Sequence, residues 1–325
     1  MASCNSKLHK EATGLQSDNL DGDENPLVSV VTPSYNQGKY LEAAIESVCN
    51  QNYRNLEHIV IDGESTDGSV SILKRYVGRL NWISEPDNGP EDAIKKGFSM
   101  ATGEIFGWLA SDDLYEPDAL QRVVDLFMQN PDVDVVYGRC HYIDKNGTII
   151  GECPTEPFDY EYLAVYNIIA QPSAFFRRSA YFEAGGISTE LQQASDYDLW
   201  IRLTRNRKVI YLPNFLSSYR LHYAAKTLGF HDPSVKFEEY VQLTMKYYNW
   251  APANRVYPCC LYRLKQRFHS MPSFLLIIFA LIYALFEYLR LNKGIDMRDL
   301  TLIPRNMNKL LFGWELEDKV KLGGK

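Results

Sequence analysis

Positive charge is the scarcer sign in this 325-residue chain, where 34 Lys and Arg stand against 41 Asp and Glu for a formal net charge of −7. No broad basic surface follows, so nucleic acid is not an expected partner. Cysteine occurs six times, yet no pair is spaced as CxxC and none stands at zinc-ligand distance from a histidine, which leaves reduced thiols in a cytoplasmic setting as the expectation. The stretch after the first strand-like run reads Asn36-Gln-Gly-Lys39. It lacks the Gly-x-Gly-x-x-Gly of a dinucleotide oxidoreductase. Residues 1–25 are polar, with Ser, Asn, Asp and Gly and no apolar core of a secretory signal; they are expected to form a disordered leader.

What is present is an alternation of short apolar runs and helical periods. Leu27 to Thr32 is β-branched and closed by Pro33, and Leu41, Ala44, Ile45 and Val48 follow at helical spacing. The unit repeats with strands over Leu56–Ile61, Leu80–Ser84 and Glu104–Leu109, and helices over Ser69–Val77, Glu91–Ala101 and Pro117–Gln129. Strands separated by helices predict an α/β fold with a doubly wound, mostly parallel sheet. Beyond Val133 the pattern turns antiparallel: Val133–Tyr142 and Thr148–Gly151 flank Lys145-Asn-Gly147 as a hairpin. A strand over Gln171–Arg177, a helix over Ser195–Asn206, one or two strands over Lys208–Tyr223 and a helix over Asp232–Trp250 complete this part.

Ligands of open parallel sheets bind beyond the carboxyl ends of the strands. Here those ends read Pro33-Ser-Tyr-Asn36, Asp62-Gly-Glu-Ser-Thr-Asp67 and Ser111-Asp-Asp113. The adjacent carboxylates of Asp112 and Asp113 follow an apolar run, and burying them is costly unless a cation or hydrogen-bonding ligand meets them. A divalent metal carrying a diphosphate suits them, because magnesium prefers one or two carboxylates with phosphate oxygens and water. Asp67 and Ser69 read as helix-cap residues, and Asp62 reads equally as a ligand or a loop residue.

Five segments occur in order: Val30-Val-Thr-Pro-Ser-Tyr-Asn36, Ile61-Asp-Gly-Glu-Ser-Thr-Asp-Gly-Ser69, Ser84-Glu-Pro-Asp-Asn-Gly89, Trp108-Leu-Ala-Ser-Asp-Asp113 and Ser195-Asp-Tyr-Asp-Leu-Trp200. With them the chain resembles the family 2 inverting glycosyltransferases of GT-A type, which use nucleotide-diphosphate sugars. The resemblance covers about residues 26–227 and implies a GT-A-like catalytic domain there, with an antiparallel acceptor-side extension and a C-terminal helical region over 228–325. It implies that Pro33, Ser34, Tyr35 and Asn36 line the nucleotide pocket and that Asp62 accepts a hydrogen bond from the base, uracil in the commonest cases. Asp112 and Asp113 would serve ribose and a Mn2+ or Mg2+ ion, with Ala110 standing where the family often has a further Asp. Asp92 would contact the donor, and Arg220, His222 and Lys226 the diphosphate. Asp196 matches the general base, with Ser195 where Glu is frequent; the other reading is that Ser195 caps a helix and Asp196 complements its dipole.

The implied activity is metal-dependent transfer of a sugar, UDP-linked in the first instance, to a saccharide or lipid-linked hydroxyl acceptor in polysaccharide or glycolipid assembly. A non-catalytic sugar-nucleotide-binding partner subunit and a nucleotidyltransferase are the alternatives. The sole long uncharged apolar run, Phe274–Phe286, lies within an apolar segment at 273–291 flanked by Arg263, Lys265 and Arg267 on one side and Arg290, Lys293 and Arg298 on the other. Positive charge on both flanks predicts contact with the cytoplasmic face of a membrane rather than a crossing; a buried core helix is the alternative.

Overall fold

The computed structural model describes residues 25–222 and 233–306. Most of the proposed leader, as well as Lys226, lies outside the described residues. The chain runs β1 (Val28–Ser34), α1 (Gly38–Cys49), β2 (Leu56–Asp62), α2 (Ser69–Arg75), β3 (Asn81–Ser84), α3 (Pro90–Met100) and β4 (Ile105–Trp108). It continues through β5 (Leu114–Tyr115), α4 (Ala119–Gln129), β6 (Val135–Ile143), β7 (Ile149–Glu152), α5 (Tyr160–Val165), β8 (Ala174–Arg177), α6 (Arg178–Glu183), α7 (Ser195–Thr204) and β9 (Val209–Arg220). Helices α8 (Pro233–Tyr248), α9 (Ala253–Arg267), α10 (Ser273–Asn292) and α11 (Met297–Leu302) follow.

The strands form one sheet in the order β3-β2-β1-β4-β8-β6-β9-β5, with β7 paired to β6. The first four are mutually parallel. The expected antiparallel extension begins where β8 pairs with β4, and β6 returns antiparallel to β8 and β7. Every residue of β1 is buried, as a strand covered on both faces requires. One core cluster lies where α3 and α5 to α8 cover the sheet, and a second where α4 covers the opposite face. Gly97 lets α3 settle onto β1, since a Cβ there would stand 2.4 Å from Val31 Cγ1.

Two differences from the sequence reading have local causes. The strand expected from Gln171 starts at Ala174, because Gln171-Pro-Ser173 form a 3-10 turn in which proline offers no backbone donor. The two-residue strand β5 and the six-residue helices α5 and α6 are too short to show a period. Of the one or two strands expected over 208–223, the described residues form one, the bulged β9 along β6.

His58 on β2 is buried, with Nε2 3.0 Å from Thr32 Oγ1 and Nδ1 without a partner among the described residues. Burial lowers its pKa to about 3, so the ring is neutral in the fold and must charge on unfolding at acid pH. The stabilising effect of neutrality is complete above the unfolded value near 6.5 and is lost as pH falls from there toward about 3. His58→Gln, which cannot take up that proton, should remove a stability slope of about 1.4 kcal/mol per pH unit across this window, measured by urea denaturation at a series of pH values.

Candidate active site

The carboxyl ends of β1 and β2 are tied by a loop that Asp62 folds. Its carboxylate is fully buried and accepts from Ser65 N–H at 2.9 Å, Ser65 Oγ at 2.5 Å and Ser84 Oγ at 2.7 Å. These three donors leave one acceptor position, on Oδ1, unfilled among the described residues. Asn36, at φ 51°, donates its N–H to Ser65 Oγ and accepts from Thr66 N–H; asparagine tolerates this left-handed backbone better than most residues. Pro33 and Ser34 pair with Ile61 and Asp62 inside the sheet, whereas Tyr35 is 63% exposed. Of the four β1-end residues, Tyr35 and Asn36 face solvent. The expected Asp67 cap is not made, since Gly68 is the N-cap of α2; Asp67, one residue earlier, accepts from Ser69 N–H at 3.1 Å and from Gly38 N–H at 2.8 Å. Asp92 reaches back from the first turn of α3 to Asn88 N–H at 3.2 Å, which organises the loop after β3 in the manner of a capping box.

The carboxylate pair divides into two unlike members. Asp112 is partly exposed, and its Oδ2 lies 2.9 Å from His222 Nε2. Asp113 is buried: Oδ1 accepts from Arg220 N–H at 2.8 Å, and Oδ2 has no partner among the described residues. Burial, reinforced by the neighbouring Asp112, raises the pKa of Asp113 well above the usual carboxylate value, so it favours a proton here. Arg220 is itself buried, donating Nε to Asp112 O at 2.8 Å and Nη1 to Asp144 O at 3.0 Å. The expectation that Arg220 meets a diphosphate is thereby corrected: its guanidinium ties the β4 exit to the β6–β7 turn. Tyr40 of α1 lies against both elements, its ring 4.8 Å from the Arg220 guanidinium carbon and 4.7 Å from the His222 ring.

The first turn of α7 presents Asp196, which is half-buried. Two residues on, Asp198 is buried, chelated by Arg202 at 2.6 and 2.9 Å and bonded by Tyr247 OH at 2.8 Å. Asp198 is therefore structural. Ser195 donates Oγ to Glu91 Oε1 at 2.7 Å, which brings α3 to the same helix end; the expected Ser195 side-chain cap is not made. Glu239 of α8 clamps the preceding turn, accepting from the N–H groups of Gln192, Gln193 and Ala194 at 2.7, 2.9 and 2.9 Å. Three successive donors around one carboxylate form an anion-binding nest filled from within the chain. Tyr40, Glu91 and Glu239 were not legible as site residues. Tyr40 falls on the apolar period of α1, Glu91 is masked by its neighbour Asp92, and Glu239 is one of two glutamates in an ordinary polar helix turn.

Residues 29–182 match the family model described as glycosyl transferase family 2. That segment, a little under half of the chain, is similar to this family. An uncharacterized glycosyltransferase of Rickettsia felis is 27% identical over 208 residues, covering 61% of this chain and 34% of that protein. Chondroitin synthase of Escherichia coli is 30% identical over 182 residues, covering 55% of this chain and 26% of the synthase. The chain thus spans about a third or less of the length of these two relatives. Among solved structures, S. aureus TarS 1-349 in complex with UDP-GlcNAc superposes with a TM-score of 0.60 at 16% identity, covering 90% of this chain and 88% of that one. The mannosyltransferase PcManGT from Pyrobaculum calidifontis in complex with GDP-Man and Mn2+ superposes with a TM-score of 0.55 at 20% identity, covering 89% and 81%. The fold is GT-A.

The donor chemistry decides which of the expected metal ligands fit. No cluster of three or more His, Cys, Asp or Glu suited to a metal occurs among the described residues. A carboxylate–imidazole pair does occur, as Asp112 Oδ2 and His222 Nε2 at 2.9 Å, and its carboxylate oxygen is of the kind that suits manganese or magnesium. Asp113 turns inward, with the Arg220 N–H on one oxygen and the other buried, whereas Asp112 stands beside His222.

Removing the Glu239 clamp leaves three backbone donors without their acceptor. Glu239→Ala should lower unfolding stability by about 2–3 kcal/mol, with Glu239→Gln less affected because it retains an acceptor oxygen. Urea denaturation followed by circular dichroism reads both.

Proposed function

We propose that this protein is an inverting, metal-dependent glycosyltransferase that moves a sugar, a hexose in the first instance, from a nucleoside-diphosphate donor to a hydroxyl acceptor. The observation that carries the proposal is the Asp112–His222 pair at the exit of β4, a partly open carboxylate–imidazole set on a GT-A fold. Tyr35 and Asn36 are assigned to the nucleotide side, with the Asp62 loop shaping that pocket. Asp112 and His222 would hold Mn2+ or Mg2+, and such an ion, when bound, would supply positive charge to the diphosphate. Asp92 acts through the loop it organises before α3.

Asp196 takes the acceptor proton. The acceptor oxygen then bonds to the anomeric carbon as the carbon–phosphate-oxygen bond breaks on the opposite face, and the nucleoside diphosphate leaves with the electron pair. A single displacement of this kind inverts the configuration. Asp196 sits in the first turn of α7 and is half-buried. Likeness to chondroitin synthase and to Pasteurella multocida hyaluronan synthase supports a polysaccharide-type acceptor. UDP is the first donor base to test, since TarS was solved with UDP and with UDP-GlcNAc. GDP is the second, from PcManGT.

Calorimetric titration with UDP and GDP, with and without Mn2+, tests the donor pocket. Binding of one nucleotide should require the metal, be lost in Asp112→Ala, and survive within about threefold in Asp113→Asn. Metal-independent binding in the wild type would instead favour a donor site without a metal. Asp196→Asn should bind donor normally while its transfer rate falls by about 100-fold or more; transfer at the normal rate would remove Asp196 as the base.

A further inference from the structure

Helix α10 is 20 residues long, and its most apolar 18-residue stretch has a mean hydropathy of 2.1 with only 22% buried inside the protein. Its buried side chains form one narrow stripe, Leu276, Ala280, Ala284 and Tyr288. At 100° per residue these four cover one side of the helix, and the opposite arc carries Phe274, Ile278, Leu281, Ile282, Leu285 and Phe286. Each of those six is between 49% and 65% exposed. No charged side chain interrupts the helix before Glu287. An apolar face this wide on an otherwise acidic chain calls for an apolar partner.

The surroundings point to what that partner is. Helices α9 and α10 form an antiparallel hairpin whose base is fastened to the body: the Asn292 side chain bonds both N–H and C=O of Ala251, and Asp299 accepts from Ala253 N–H and Trp250 Nε1. At the tip, Leu264, Phe268, Met271, Leu276 and Phe279 help line an apolar cleft of about 540 Å³ between the helices. Exposed Lys265, Arg267 and His269 mark the tip, and exposed Lys293 marks the base. In a chain of net charge −7, this local positive charge at the tip, next to the apolar face, complements an anionic, apolar-cored surface.

We propose that α10 lies flat in the surface of an anionic lipid bilayer, with its exposed face among the acyl chains and the basic residues at the tip on the headgroups. The helix is about 30 Å long, enough to span, but α9 rides along it and carries Arg263, Lys265, Gln266 and Arg267 in its second half. A crossing α10 would draw those side chains toward the hydrocarbon, where charge is costly. The flat arrangement keeps them at the headgroups. It holds the catalytic domain against the membrane, beside any acceptor carried on lipid.

The test is flotation of the full chain with vesicles in the absence of any donor, so that its result stands apart from the sugar-transfer reading. The protein should float with phosphatidylcholine vesicles containing phosphatidylglycerol, bind pure phosphatidylcholine at least tenfold more weakly, and be released by high salt or alkaline carbonate. Lys265→Glu with Arg267→Glu should remove the preference for anionic lipid, and Leu281→Glu with Phe286→Glu should reduce binding at least tenfold while circular dichroism stays unchanged. Carbonate-resistant binding to both vesicle types would overturn the proposal in favour of a spanning helix. Absence of flotation, with a dimer in sedimentation that Phe286→Glu dissociates, would overturn it in favour of a second copy on the same face.

Discussion

The attachment of the end of β9 to the exit of β4 is the constraint on which the site depends. Arg220 donates its backbone N–H to the buried Asp113 carboxylate and its side chain to the carbonyls of Asp112 and Asp144. Segments more than 100 residues apart in the chain are thereby held in one arrangement. His222, two residues beyond, is delivered to Asp112 by this attachment. The cost of burying Asp113 and Arg220 is offset by hydrogen bonds rather than by solvent. The return is positional: one carboxylate is used up inside so that its neighbour stands at the surface with an imidazole beside it.

A second attachment works from the C-terminal side. Helix α8 sends Glu239 to the turn before α7 and Tyr247 to Asp198 within it. Both ends of the first turn of α7 are therefore set by a helix outside the segment that matches the family model. Asp196 lies between these two restraints, with Ser195 held in addition by Glu91 from α3. The C-terminal helices thus shape the proposed site as well as presenting an apolar face of their own, and damage to α8 would reach Asp196 through backbone geometry.

Much of the architecture was legible because periodicity and burial are local properties. The βα alternation up to α4, the change to antiparallel pairing near residue 133 and the helical C-terminal region all follow from residue spacing. The motif order pointed to the strand ends where Asp112 and Asn36 are found. Sequence could not separate Asp112 from Asp113, since both are the same residue type in adjacent positions. The pleat of the chain and the approach of β9 bury one and leave the other partly open. It likewise could not show that Asp62 is enclosed by Ser65 and Ser84, one of which comes from the neighbouring strand β3.

The sequence by itself determined the fold class, the order of elements, the family resemblance and the apolar character of α10, because each rests on the pattern of side chains along a short stretch. Tertiary structure decided that Arg220 is a buried tie, that His222 rather than Asp113 stands beside Asp112, that Glu239 holds the turn before Asp196, and that α9 accompanies α10. Each of these depends on a contact between distant segments, and the energy that fixes it exists only once the sheet and helices have brought those segments together.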